Sequence, residues 1–196
     1  MPFYRLCWED GYSFDYSNDL EATNAQIAQK NPQDVDGYAN FLKYAEKVFQ
    51  RGYVELAHEP FLDFWSMIRV SPQLMRLQSY RSVYSMVSKF ISDPQLRQVY
   101  TFHSLLVGGN PFRTSSIYTL IHVLERKWGV FFPRGGTGAL VQALIKLFTD
   151  LGGEIRLGAP VERILTQNGR VTGVAAADDW STEADVVASN ADVVHT

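Results

Sequence analysis

The spacing of apolar residues changes at Gly129, and that change limits the chain to a helix-rich first part and a strand-containing second part. Before Gly129, Val35, Tyr38, Leu42, Ala45 and Phe49 recur at three- and four-residue steps, one apolar face of a helix ending near Gly52. Ile117, Leu120, Ile121, Leu124 and Trp128 mark one side of another helix. After Gly129, short runs at 154–157, 161–167, 170–177 and 184–188 alternate with turn signals, and one helix aligns Leu140, Leu144, Leu147 and Leu151. Asn168-Gly169 is a strong two-residue hairpin turn. Asp185-Val186-Val187-Ala188, apolar between turn residues, predicts a strand buried in a parallel sheet beside that hairpin.

Local signals divide the first part. Two alternating runs about Asp10-Gly11 predict a β-hairpin. Ser17, Asn18 and Asp19 are cap candidates for a helix to about Lys30, Asn31-Pro32 ends it, and Asp34 is placed to cap the next. Helices are expected near 61–70, 72–78 and 82–91. Pro94 opens another, running to about Val107 and stopping at Gly108-Gly109. Residues 130–133 read as a short extended piece.

Composition excludes several classes. The chain has 196 residues, 46% hydrophobic and 20% charged, as globular proteins do. A net charge of −3 without a Lys/Arg block argues against a nucleic-acid binder. The one cysteine, Cys7, forms no internal disulfide and builds no thiolate metal site alone. The start lacks the pattern of a signal peptide, and no uncharged apolar run approaches the ~20 residues a membrane span needs. A soluble or peripheral protein is expected. Aromatic residues make 13% of the chain, nearly all before residue 133. They fit either a bulky core or a surface or tunnel for a large apolar ligand.

Familiar catalytic motifs are missing: no G-x-G-x-x-G after a predicted strand, no phosphate-binding loop, no Cys/His cluster, no nucleophile elbow. His103 and His122 sit on helical stretches among apolar residues and read as core histidines, and no carboxylate pair stands out. The residues alone name no reaction. Arg134-Gly135-Gly136 before a helix offers backbone for close approach to a ligand and an arginine for an anion. It serves equally as a strand-to-helix turn that needs glycine for its dihedral angles.

Pro133-Arg134-Gly135-Gly136, Gly152-Gly153-Glu154-Ile155, Val161-Glu162-Arg163-Ile164, Gly169-Arg170-Val171-Thr172-Gly173-Val174 and the run from Ala184 to Asp192 resemble the FAD-binding pattern shared by phytoene desaturases and amine oxidases. Upstream, residues 102–112 and 115–121 resemble bacterial phytoene desaturases in particular, and the similarity covers the whole chain. The resemblance implies an α+β or α/β architecture: a helical, substrate- and membrane-facing portion with a β-hairpin at 1–128, then part of a Rossmann-like FAD-binding domain at 129–196. It implies flavin-dependent desaturation of phytoene or a similar long polyene in carotenoid biosynthesis, with peripheral contact at the cytoplasmic face of the cell membrane. For the site, it implies that the main chain at Val161 holds the adenine of FAD. Asn190 and Ala191 then lie at a strand end against the cofactor, and Arg134, Gly135 and Gly136 near the flavin and substrate entrance. Two alternatives stand beside it: a non-catalytic helical module for an apolar ligand or partner, and an amine-oxidase-like flavoprotein piece.

The family's dinucleotide fingerprint and its closing C-terminal flavin segment are absent from these residues, so an internal fragment is expected. With those contacts missing, the 196-residue chain should not bind FAD tightly by itself. Flavin fluorescence in a titration with purified chain is expected to stay unchanged; saturation in the micromolar range would refute this.

Overall fold

The computed structural model describes residues 1–58, 63–192 and 194, and the chain forms two units, Met1–Phe131 and Phe132–Thr196. The division falls close to the change of period at Gly129. Phe61, where a helix is expected to begin, and His195 lie outside the described residues. No helix among the described residues is long and apolar enough to cross a membrane.

The first unit opens with the expected hairpin. Strands β1 (Tyr4–Cys7) and β2 (Ser13–Tyr16) pair antiparallel, Tyr4 opposite Tyr16 and Leu6 opposite Phe14. Gly11, at φ 82°, lets the connection fold back so that Trp8 N–H reaches the Tyr12 carbonyl at 3.0 Å. The alternation of β2 drives Phe14 and Tyr16 fully into the core. Helix α1 (Leu20–Lys30) begins as expected, with the Asp19 carboxylate accepting from Ala22 N–H at 3.0 Å.

Helix α2 (Asp34–Phe49) departs from expectation at both ends. Asp34 is its first residue, not its cap, and its carboxylate accepts from Ser92 N–H at 2.7 Å, the Ser92 hydroxyl at 2.8 Å and Asp93 N–H at 2.9 Å. The first turn of α2 is thereby tied to a loop far along the chain. Gly52 does not end the helix, which runs on as a wider π-type turn over Gln50–Glu55. A Cβ on Gly52 would lie 3.4 Å from Ile117 and Leu120, an ordinary packing contact, so space does not demand glycine there. Gly37 is different: a Cβ there would come within 2.0 Å of the Phe90 carbonyl oxygen, so only glycine lets the two backbones approach.

Where two helices were expected about Pro72, a single helix α3 (Phe64–Arg76) carries the proline on its exposed side and forgoes one donor. Helices α4 (Val83–Val87) and α5 (Pro94–Val99) are shorter than expected. After α5, the Thr101 and Ser104 hydroxyls bond to the carbonyls of Gln98 and Thr101, and the chain tightens into a 3-10 turn, Phe102–Val107. A second such turn, Ser116–Thr119, leads into α6 (Leu120–Trp128), which Gly129 ends at φ 78°.

The aromatic residues of this unit are largely core. Tyr16, Tyr38, Tyr100, Phe14 and Phe41 are fully buried, and the rings of Tyr38 and Tyr100 stack at 4.8 Å. Outside that core, α3 buries only Val70 and leaves Phe64, Trp65, Met67, Ile68 and Met75 exposed.

In the second unit, α7 (Gly136–Asp150) carries no buried residue, and the aligned Leu140, Leu144, Leu147 and Leu151 are exposed. Strands β3 (Val161–Gln167) and β4 (Arg170–Ala176) form the expected hairpin, with Asn168 at φ 51° and Gly169 at φ 76°, both in the left-handed region. A third strand, β5 (Ser181–Glu183), pairs antiparallel with β4. The strand expected at 184–188 is not formed: Val186 is 82% exposed. A parallel strand gains stability only between neighbours, and among the described residues every strand pair is antiparallel. Residues 130–133 and 154–157 are not strands either. The architecture is a helix-rich α+β chain with two small sheets.

Burial pushes the Asp34 carboxyl up, but the Asp93 and Ser92 donors, with Asn31, more than offset this and hold it below the usual aspartate range. Asp34→Ala should cost about 2–4 kcal/mol in urea unfolding, because hydrogen bonds to a charged acceptor are lost and backbone donors are left unpaired. Stability from this group is present above the ordinary aspartate pKa and is lost as pH falls through the lowered value. A variant as stable as the parent would refute the tie.

Candidate functional site

The second unit carries a groove where the edge of its sheet meets the following segment. Strand β3 is an edge strand in the order β3-β4-β5, so its backbone groups facing away from β4 take no part in the sheet. Pairing passes from Val161 opposite Ala176 to Arg163 opposite Ala175, which leaves Glu162 bulged out of register. Bulges of this kind bend a strand and re-aim its side chains, and they recur beside binding sites. The Ala177 N–H donates to the Pro160 carbonyl at 3.1 Å and closes that end of the hairpin.

The groove has a volume of about 700 Å³. Val161, Glu162, Arg163, Ile164 and Val174 line it from the sheet, and Val187, Ala188, Ser189, Asn190 and Ala191 from the segment after β5. The walls are mainly small and apolar, with Glu162, Arg163, Ser189 and Asn190 supplying polar groups. The Ser189 hydroxyl accepts from Ala191 N–H at 3.2 Å and folds that segment into a corner.

Three residues singled out in the sequence, Val161, Asn190 and Ala191, therefore line one groove. Arg134, Gly135 and Gly136 do not line it. They form the entry to α7, where Gly135 and Gly136 have φ of 83° and 82° and Gly136 N–H donates to the Pro133 carbonyl at 3.0 Å. A Cβ on Gly136 would meet nothing within 4 Å, so the turn needs glycine for its backbone angles and not for space. The other lining positions, Glu162, Arg163, Ile164, Val174, Val187, Ala188 and Ser189, were not singled out as site residues, and the bulge at Glu162 has no mark in the residue pattern.

A second polar constellation lies inside the first unit. Glu125 accepts from the Tyr4 hydroxyl at 2.9 Å and faces His103 Nε2 at 2.8 Å, while the Tyr16 hydroxyl meets His122 Nδ1 at 2.9 Å. Burial pushes His103 down to about 3 and His122 well below its ordinary value, and pushes Glu125 up. Tyr4 rises to about 12 through burial, helped by its bond to Glu125. The two histidines are core residues as expected. Glu125 escaped notice, although its spacing from His122 sets both on one face of α6. Among the described residues no group of acidic, histidine or cysteine side chains is placed to hold a metal.

Comparison with known proteins gives the chain a family. The family model for flavin containing amine oxidoreductases matches residues 2–196. A phytoene desaturase (lycopene-forming) of Pseudescherichia vulneris is 60% identical over 100% of the chain, which covers 40% of that protein. The Paracoccus counterpart is 53% identical over 99% of the chain and 39% of its own length. A phytoene desaturase (neurosporene-forming) of Rhodobacter capsulatus is 38% identical over 100% of the chain and 37% of its own length. The chain thus spans about 40% of the length of the first two of these curated relatives.

The groove depends on close approach of β4 and β5. A Cβ on Gly173 would lie 2.1 Å from the Thr182 carbonyl oxygen, so Gly173→Ala must push β5 away. A loss of about 1–3 kcal/mol is expected, with faster hydrogen exchange at Ala184 N–H, which donates to the Thr172 carbonyl at 3.0 Å. Unchanged exchange there would show that the strands tolerate a methyl group.

Proposed function

The chain belongs to the family of flavin containing amine oxidoreductases, and from that premise we propose that it is part of an FAD-dependent desaturase that introduces double bonds into phytoene or a similar long polyene. The observation that carries this reading is identity of 53–60% to lycopene-forming phytoene desaturases over practically all of the chain.

The groove suits one end of the cofactor. Its volume of about 700 Å³ accommodates a nucleotide-sized group. Val161 sits on an edge strand next to a bulge, where main-chain groups not taken by β4 can bond to adenine while the valine side chain only packs. Asn190 and Ala191 lie across from it and close the other wall. Arg134, Gly135 and Gly136 are assigned to the flavin and substrate entrance through the resemblance alone, at a turn whose glycines hold left-handed angles. When bound, FAD supplies the acceptor for hydride from an allylic carbon. This chain's own residues orient the cofactor and exclude water. Such a division of labour needs no carboxylate pair for acid–base work.

Peripheral attachment to the cytoplasmic face of the cell membrane belongs to the same proposal. Helix α3 supports it: Phe64, Trp65, Met67, Ile68 and Met75 are exposed, with Arg69 and Arg76 on the same helix. Aromatic and aliphatic residues beside arginines make an amphipathic surface suited to a bilayer interface, where an apolar substrate resides.

Exchanging this chain for the matching stretch of the Pseudescherichia desaturase tests both parts. The chimera should convert phytoene to coloured products in cells that accumulate phytoene. Phe64→Ser, Trp65→Ser and Ile68→Ser together should release it from liposomes in a flotation assay by about tenfold or more, as loss of three apolar side chains inserted in the bilayer requires. A folded chimera that carries flavin yet leaves phytoene intact would overturn the desaturase reading; unchanged flotation would overturn the role of α3.

A further inference from the structure

Five polar side chains meet beneath the β1–β2 hairpin: Tyr4 and Tyr16 from its strands, His103 from the turn after α5, and His122 and Glu125 from α6. Aromatic rings surround them; Tyr16 lies 4.9 Å and Phe102 4.0 Å from the ring of His103.

Hydrogen-bond logic fixes where the protons sit. His122 Nε2 faces the Tyr100 carbonyl at 3.0 Å, and a carbonyl only accepts, so Nε2 carries the hydrogen. Nδ1 of His122 is then the acceptor for the Tyr16 hydroxyl at 2.9 Å. Glu125, as a carboxylate, accepts from Tyr4 at 2.9 Å and from His103 Nε2 at 2.8 Å. A further proton on His103 has only Nδ1 to occupy. That atom is buried without a hydrogen-bond partner, and the centres of the His103 and His122 rings are 4.1 Å apart.

We propose that this network is an acid-operated latch, which holds the β1–β2 hairpin to α6 near neutral pH and releases it on acidification. The titratable and charged groups facing the histidines are Tyr4 on β1, Tyr16 on β2, Tyr38 on α2, Tyr100 after α5, and Glu125 and Arg126 on α6. Arg126, which donates to the Tyr38 hydroxyl at 3.4 Å, adds positive charge that opposes protonation of His122.

The direction follows from linkage. Both histidines titrate lower in the fold than their ordinary value of 6.5. Below that value the unfolded chain takes up protons that the fold refuses, so stability falls as pH falls. Glu125 works in the opposite sense, since its raised pKa lets the fold hold a proton that the unfolded chain has released. That is one proton against two, and a protonated Glu125 must donate, so one of its two present donors loses its acceptor.

The test is the pH dependence of urea unfolding of the 196-residue chain, with hydrogen exchange read residue by residue. Between about pH 6.5 and pH 5 the unfolding constant should rise by between tenfold and a hundredfold per pH unit. Amides of β1 and β2 should lose protection before those of α2. His103→Gln keeps a donor toward Glu125 but cannot titrate, and should cut the slope by about one proton. Tyr4→Phe should lower hairpin protection at neutral pH toward the acid value of the parent. A slope untouched by His103→Gln, or hairpin amides that follow α2 at every pH, would overturn the latch. Should His103→Gln fail to fold, nitrogen NMR of the parent decides: both buried rings must be neutral, with hydrogen on Nε2, at about pH 6. A charged ring there would overturn the proposal.

Discussion

The pairing of β3 with β4 is the constraint on which the second unit rests. Asn168 and Gly169 take left-handed backbone angles that natural twist favours in a two-residue turn, and the strands pair antiparallel with register shifts at Val161/Arg163 and Leu165/Thr166. The bulge at Glu162 bends the edge strand, and the closeness of Gly173 to β5 brings the chain back beside it. From these backbone facts a groove follows, walled by Val161 and Ile164 on one side and by 187–191 on the other. The side chains there are ordinary; the unusual feature is main chain facing away from the sheet at its edge. On the proposed reading, such an edge offers a flat, hydrogen-bonding group main-chain partners without any catalytic motif.

The first unit follows a different physical rule. Its stability comes from stacked and tilted rings about Tyr16, Tyr38 and Tyr100, and its polar groups are placed where the rings leave gaps. Asp34 joins the start of α2 to the Ser92–Asp93 loop, and Glu125 joins β1 to the turn after α5 through α6. Each buried carboxylate thus links segments distant in sequence, a job that apolar contacts perform without such directionality. The surface of α3 stands apart from this core and keeps its large apolar residues exposed.

Much of this was legible in the residues. Asp19 before α1, Pro94 at the head of α5, Gly11 and Asn168-Gly169 in the hairpins carry local chemistry that tertiary structure left intact. The failures have several causes, and only that at Asp34 is a long-range contact overriding a local signal. Asp34 looks like a cap but is drawn to Ser92 and Asp93; Gly52 looks like a stop, yet the chain passes through it as a π-type turn. Pro72 sits on an exposed helix face, so it splits nothing. Residues 185–188 have the composition of a buried strand, yet composition cannot provide the parallel neighbours such a strand requires. Within the site, Val161, Asn190 and Ala191 came from resemblance and share a groove, whereas the bulge that shapes it leaves no trace in a single sequence.

The central claim is that the groove at the edge of β3 holds the adenine end of FAD. Its most direct test is the flavin content per chain of a full-length desaturase carrying these residues, with and without Ala191→Trp, which fills the groove. Ala191 lines that groove together with Val161. The account predicts that the tryptophan variant, folded and purified alongside its parent, emerges with most of its flavin gone. Full flavin occupancy in that variant would place the cofactor elsewhere and contradict the account.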